Sequence, residues 1–289
     1  MISARTLHLH LALTPWFGGK TVSRVAARNA LLGCAPERFL TLSIDAWREE
    51  YGLNARQASA LDGRRKVDET AEIERQLDGM GATLVTAADA HYPDRIEAFD
   101  PDPPGVLFLY GNLSLLKRAT FCVLASRGAQ PHHWDWIERL AEEGVLAGEA
   151  LVSGHERVEY QRSAVVPLRW GAPRILCLDR GLQTVLGEDL KNEAFRAARL
   201  WRYEFDPKSD LAISPFRPKA EFIGDHNRVR DRLIASLSDR VDVVHMAEGG
   251  NMARLVQLAL KAGRRVRVPD SSDYAGWRDQ GAEGLPPAP

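Results

Sequence analysis

The sequence predicts an α/β protein: a mostly parallel sheet with covering helices, preceded by a small helical domain. Residues 1–80 repeat apolar side chains at three- and four-residue steps, the period of an amphipathic helix. Beyond Gly81, short apolar runs alternate with helical patterns, the signature of parallel strands joined by crossover helices. Small residues, glycines and arginines cluster just after the apolar runs, where open parallel sheets bind their ligands.

The elements follow in order. "TVSRVAARNALLG", "SIDAWREEYGLNARQASAL" and "DETAEIERQLDGM" read as helices, with starts at "APERF" and "LNARQ", and "GRRK" (63–66) as an exposed connection. "ATLVTAAD" is a short apolar run. Four prolines between Pro93 and Pro104 break any continuous helix, and "GVLFLYG" is strand-like. Strands are then expected at "ATFCVLAS", "EALVSG", "PRILCLDRG", "LAISPF", "RVDVVHMAEG" and "RRVRVPD". Helices are expected at "PHHWDWIERLAEEG", "RVEYQRSAVVPLRWG", "LKNEAFRAARLW", "GDHNRVRDRLIASLSD" and "NMARLVQLALKAG". This divides the chain into a helical domain at 1–80, a sheet domain at 81–272 and a flexible tail at 273–289.

The chain has 289 residues, with 38 Lys and Arg against 39 Asp and Glu. That balance excludes an overall cationic protein but leaves room for a local basic groove. Cys34, Cys122 and Cys177 match no zinc spacing and read as thiols in a reducing compartment. No apolar stretch approaches the roughly 20 residues of a membrane span, so no membrane partner is expected and the cytoplasm is the expected location.

The strand ends supply the candidate site: "ASRGAQ" with Arg127, "SGHER" with Ser153, Gly154 and Arg157, "DRG" with Arg180 and Gly181, and "EGGN" with Gly249 and Gly250. Glycines let a backbone approach a ligand, and free N–H groups at helix starts favour anions. In "GDHNRVRDRLIASLSD", Val229, Leu233, Ile234 and Leu237 form a sheet-packing stripe. Arg228 and Arg232 share one flank; Arg230 falls at the other border, either snorkelling outward or reaching over the strand ends. Trp134, Trp136 and Phe216 lie near the same loops, either as core or as stacking platforms. No dinucleotide fingerprint, phosphate loop, zinc set or nucleophile elbow is present, and Asp179 and Glu248 are only one of many possible carboxylate pairs. Binding without bond chemistry, with no cofactor, no metal and no catalytic residue, is the simplest account of the arginines.

In the order of these motifs the chain resembles the DprA/Smf family of DNA-processing proteins, over roughly residues 80–270. "HYPDRIEAFDPDPPGVLFLYGNLSLL" is similar to the family's entry segment, and "VLASRGA" to its strand followed by Gly-Ser-Arg, with Ala125 at the glycine position and Arg127 retained. "LVSGHER" matches Ser-Gly-x-x-Arg, and "LCLDRGL" a strand ending in a glycine-leucine turn. "RDRLIASLSD" resembles an Arg-Asn-Arg helix start, keeping Arg230 and Arg232 with Asp231 at the asparagine; "EGGNMARLVQLALKAGRRVRVPD" resembles the last glycine turn, helix and strand. The resemblance implies an extended Rossmann-like, mostly parallel sheet with helices on both faces. It also implies single-stranded DNA binding through Arg127, Arg157, Arg230 and Arg232, help in loading a RecA-type recombinase during natural transformation, and a homodimer. Arg228 and Arg240 are then surface charges. The sequence departs from the family at Glu156, at Val158, Glu159 and Tyr160, and at Ser214-Pro215. Two other readings stand beside it: a nucleotide-binding or nucleotide-processing enzyme of a related class, and a regulatory member with a decayed pocket.

Overall fold

The computed structural model describes residues 2–285. Six helices open the chain: α1 (Ala4–Ala12), α2 (Gly19–Leu32), α3 (Pro36–Thr41), α4 (Ile44–Tyr51), α5 (Ala55–Asp62) and α6 (Asp68–Gly79). Local chemistry marks their ends. Ser3 and Ser43 cap α1 and α4 by accepting the amides of Thr6 and Ala46, while Asn54 and Gln57 form a reciprocal capping box on α5. Phe39, Trp47, Tyr51 and Leu61 fill their shared core. The "GRRK" connection is more than an exposed link, because Arg65 lies 4.5 Å over the Trp47 ring and Arg64 donates to the Leu13 carbonyl. Leu9 of α1 and Leu77 of α6 belong to the core beneath the sheet, so the helical bundle packs directly onto the sheet.

The remainder runs β1 (Thr83–Thr86), α7 (Asp94–Phe99), β2 (Val106–Gly111), β3 (Thr120–Ala125), α8 (Pro131–Leu146), β4 (Ala150–Ser153), α9 (Val158–Ala164) and α10 (Val166–Arg169). It continues with β5 (Arg174–Cys177), α11 (Leu182–Leu186), β6 (Leu211–Ser214), α12 (His226–Leu237), β7 (Arg240–His245), α13 (Asn251–Lys261), β8 (Arg265–Val268), α14 (Ala275–Arg278) and β9 (Glu283–Gly284). The strands form one sheet in the order β1-β2-β6-β5-β4-β3-β7-β8-β9. The β1–β2 and β2–β6 pairs are antiparallel and the others parallel.

Strand alternation distributes the core to two faces. Phe121 and Val123 of β3 pack with Ile137 and Leu140 of α8, whereas Cys122 and Leu124 pack with Leu233 and Leu255 of α12 and α13. Helices therefore cover both faces, as the extended Rossmann-like expectation requires. From β3 the chain moves outward through β4, β5 and β6, then crosses back so that β7 pairs with the other edge of β3. The strand order reverses between β3 and β7, and the crevice beyond their carboxyl ends is where such sheets bind ligands.

Two expectations are corrected. "LKNEAFRAARLW" is not an α-helix: Leu190 has a left-handed φ of 58°, and only Arg196–Leu200 forms a short 3-10 turn. The competing interaction is ionic, since buried Glu193 is held by Arg174 and Arg202, which fixes the segment in an irregular path. Residues 273–285 are not a flexible tail; they supply α14 and then β9, which extends the sheet beside β8. Residues 286–289 of that expected tail lie outside the described residues. Leu285 is 4 % exposed and its amide donates to the Val268 carbonyl at 2.7 Å. Leu285→Ala should therefore cost about 2 kcal/mol, the low end for a buried leucine, read as a lower urea midpoint; an unchanged midpoint would mean that the segment is not docked.

Candidate functional site

The crevice at the switch point is a cavity of ≈ 270 Å³, walled by Ser126 and Arg127 after β3, Arg157 before α9, the first turns of α12, and the Ala247–Met252 turn into α13. Its geometry begins with a register shift between Leu124 and Ala125, where β3 and β7 start to part. Ser126 holds the parting ends together: its amide donates to the His245 carbonyl at 2.8 Å and its hydroxyl accepts the Ala247 amide at 3.0 Å. Gly249, with φ of 63°, turns the chain so that Gly250 caps α13 at the crevice edge. The α13 N-terminus contributes the positive end of a helix dipole there.

Beneath this surface lies a buried ionic hub. Arg230, only 1 % exposed, donates to Asp231 at 3.1 and 2.9 Å through Nε and Nη2 and pairs with Asp179, while its guanidinium stacks 4.8 Å over the Tyr160 ring. The Tyr160 hydroxyl donates to Asp231 Oδ1 at 2.6 Å, and Asn251 donates to Asp231 Oδ2 at 3.0 Å. Burial opposes the Arg230 charge, but Tyr160, Asp231 and Asp179 outweigh it and raise the pKa above the ordinary value. Burial likewise pushes the Tyr160 phenol up, reinforced by the Asp231 charge. For Asp179 burial acts upward, but His155, Arg230 and Arg180 together hold its carboxyl below the usual 3.8.

The expected site residues divide. Arg127, Arg157 and Gly250 line the crevice, and Gly249 shapes its turn. Direct ligand contact by Arg230 is corrected by its burial: the charge is consumed inside the protein. Arg232 lies outside the crevice, donating to Asp100 at 2.8 Å on the α7 side of its helix. Ser153 is buried, with its hydroxyl bonded to Ser163 Oγ and the Tyr160 carbonyl. Gly154 makes room for Tyr160, since a Cβ there would sit 2.6 Å from its ring. Gly181 lets two backbones meet; a Cβ would lie 2.1 Å from the Arg217 and Pro218 carbonyl oxygens. Arg180 pairs with Glu156 at 2.5 Å. Arg240, expected at the surface, is 5 % exposed and bonds Glu149 and Asp242. Of the aromatics, Trp136 is buried and Phe216 stacks on His226, leaving Trp134 half-buried.

Sequence reasoning missed several wall residues. Arg228, Asn227 and Asn251 enter the crevice because they occupy the first turns of α12 and α13. His132, His133 and His245 also gather beside the switch, with ring centroids 3.9 and 5.0 Å apart, because β7 pairs with β3. The adjacent histidines were visible in "PHHW", but His245 joins them only through a pairing of distant strands. His133 has its pKa lowered by burial first and then by its two neighbours, so it is neutral near pH 7. No cluster suited to a metal ion occurs among the described residues.

The charges at the crevice differ in how firmly they are paired. Arg157 is bonded to Glu159 at 2.8 Å, and Arg228 is paired loosely with Asp225 at 3.4 Å, both of the latter largely exposed. Arg127 is exposed and has no ion pair among the described residues.

Comparison with known proteins agrees with the fold. The family model for DNA recombination-mediator protein A matches residues 83–158, from β1 to the start of α9. The X-ray structure of DNA processing protein A (DprA) from Streptococcus pneumoniae superposes with a TM-score of 0.72 at 19 % identity, covering 96 % of this chain and 92 % of that one. DNA processing protein A from Helicobacter pylori, whose structure is described in terms of a unique single-stranded DNA binding mode, gives 0.55 at 18 % identity, over 70 % of this chain and 90 % of that one. No curated protein matches the sequence.

The hub makes two outcomes testable. Arg230→Met leaves Asp179 and Asp231 buried without their cation and should cost about 3–5 kcal/mol in urea unfolding at pH 7. The depressed Asp179 pKa means that its ionised form contributes stability above the unfolded value of 3.8, lost as pH falls through the lower folded value. Asp179→Asn should flatten that acid limb of the unfolding midpoint against pH; a limb identical to wild type would place the proton uptake elsewhere.

Proposed function

We propose that this chain is a member of the DprA/Smf family, binds single-stranded DNA at the β3–β7 switch point and acts in DNA processing without itself breaking bonds. The observation that carries the reading is Arg127: a solvent-facing guanidinium without a carboxylate partner among the described residues, set beside a helix N-terminus at the ligand-binding position of the fold. Arg157 and Arg228 stand within the same walls. A phosphate can displace Asp225 from Arg228 at little cost, because both are largely exposed and such pairs contribute about 0–1 kcal/mol. The carboxylates that depart from the family pattern are already engaged, Glu156 by Arg180 and Glu159 by Arg157, which limits their repulsion of a polyanion.

Non-catalytic action is supported by the state of the nearby reactive groups. Ser153 is locked in buried hydrogen bonds, Asp179 is committed to Arg230, and burial pushes the Cys122 thiol up to about 12. Delivery of the strand to a RecA-type recombinase, and self-association, rest on the family relationship.

The test is anisotropy of labelled oligothymidine, a duplex and a mononucleotide across a salt series. Single strands should bind best, and Arg127→Ala should weaken them while lowering the salt slope by about 0.7, the value for one phosphate contact on a single strand. Thermal unfolding should be unchanged by Arg127→Ala, since its side chain has no ion pair to lose among the described residues. A folded protein that ignores single strands at low salt would overturn the reading, and preference for the mononucleotide would favour a nucleotide enzyme.

A further inference from the structure

We propose that a second subsite, on the outer face of α9, stacks bases of the strand whose phosphates occupy the switch-point crevice; this rests on the function proposed above. The subsite is a cavity of ≈ 250 Å³ between α9, α10 and the 3-10 turn at Arg196–Leu200. Val158, Gln161, Arg162 and Val165 form its floor, and their spacing puts all four on one face of α9 and the turn after it. Arg157, the N-cap of the same helix, lines the first crevice. One helix thus joins the two cavities. Its seven residues span about 10 Å, well within the roughly 4–16 nucleotides that a single-strand site covers.

The wall chemistry specifies the occupant. The lining residues Leu200 and Trp201 are 82 and 41 % exposed, and Tyr203, outside the cavity on the same segment, is 78 % exposed, an unusual density of large apolar surface on one short segment. Arg162 lies 5.6 Å over the Trp134 ring, and Arg169 lies 5.7 Å over Trp201. These two arginines share Glu138, at 2.7 and 3.0 Å. Arg196 and Arg199 on the same turn are exposed and have no ion pair among the described residues. Two lining guanidinium groups against one shared carboxylate, with Arg196 and Arg199 exposed on the adjoining turn, favour a polyanion, and the exposed Trp201 ring offers a face to its bases. A protein partner would have to desolvate the unbalanced arginines, whereas a nucleic acid neutralises them with phosphate.

The segment acquires this role by not forming the helix that its sequence suggests. Phe195 and Ala198 are buried and Glu193 is tethered by Arg174 and Arg202, so the residues between face outward.

The experiment compares oligothymidines of about 4 and about 20 nucleotides, the range spanning one site and both, on the full chain. Trp201→Ala should weaken the longer strand about tenfold and leave the shorter one unchanged, as loss of one stacked base requires. Trp201→Phe should recover most of the loss, and Arg127→Glu should weaken both lengths. Equal affinity of wild type and Trp201→Ala for the longer strand would overturn the subsite while leaving the crevice reading intact. Failure of wild type to bind either length would overturn both.

Discussion

The buried Arg230 guanidinium is the interaction on which the switch point depends. It joins Asp179 after β5, Tyr160 in α9 and Asp231 beside it in α12, and Asp231 in turn holds Asn251 at the start of α13. Three helices and a strand end are therefore referred to one side chain. Desolvating a guanidinium is expensive, and its attraction to buried carboxylates offsets that cost only when the remaining hydrogen-bonding groups are satisfied. Here Tyr160 and Asn251 complete the Asp231 carboxylate. The benefit is positional: the α13 N-terminus and the first turn of α12 reach the same crevice at a fixed separation.

The same solution recurs under the sheet. Arg174, fully buried, is held by Asp210 and Glu193, and Arg267 forms a bidentate pair with Asp242 at 2.6 and 2.7 Å, joined by Arg240. An apolar β-strand pattern interrupted by arginine therefore does not mark an edge or a site in this chain. It marks a carboxylate on a neighbouring strand or loop. This explains how a protein with nearly equal acidic and basic totals can devote many of its arginines to architecture and still retain a few for solvent.

Much of the fold was legible because its signals are local. The strands at β3, β4 and β7 are apolar runs, and α12 and α13 carry apolar stripes that bury Leu233, Ile234, Leu255 and Val256. What failed depends on distant partners. The helical propensity of "LKNEAFRAARLW" lost to an ionic tether from Arg174 and Arg202, and the final segment docked through Leu285 and a strand bridge to β8. At the site, periodicity puts Arg230 on the border of the apolar stripe, and the structure buries its side chain. Whether a border arginine turns inward or outward depends on whether carboxylates wait beneath it, and Asp179 lies 51 residues away. Arg127 was legible from position alone: it follows a strand end with glycine next to it and nothing nearby in the sequence to pair with.

Burial also decides which of these arginines can exchange partners. In the hub, separating Arg230 from Asp179 would strand two charges in a region closed to water, so no incoming phosphate can recruit it. At the surface, Arg228 and Asp225 are both hydrated before and after separation, and a phosphate loses little by replacing the carboxylate. Arg157 is intermediate: its partner Glu159 is mostly buried at the head of α9 and cannot retreat far. In the proposed binding mode the crevice charges are graded by exposure, with Arg127 free of ion pairs among the described residues, Arg228 exchangeable and Arg157 partly neutralised. A single strand bound as proposed, by so few free charges, would gain more from added contacts along its length than from any single phosphate. That is the physical argument for the proposed binding surface to continue past the switch point onto the face of α9.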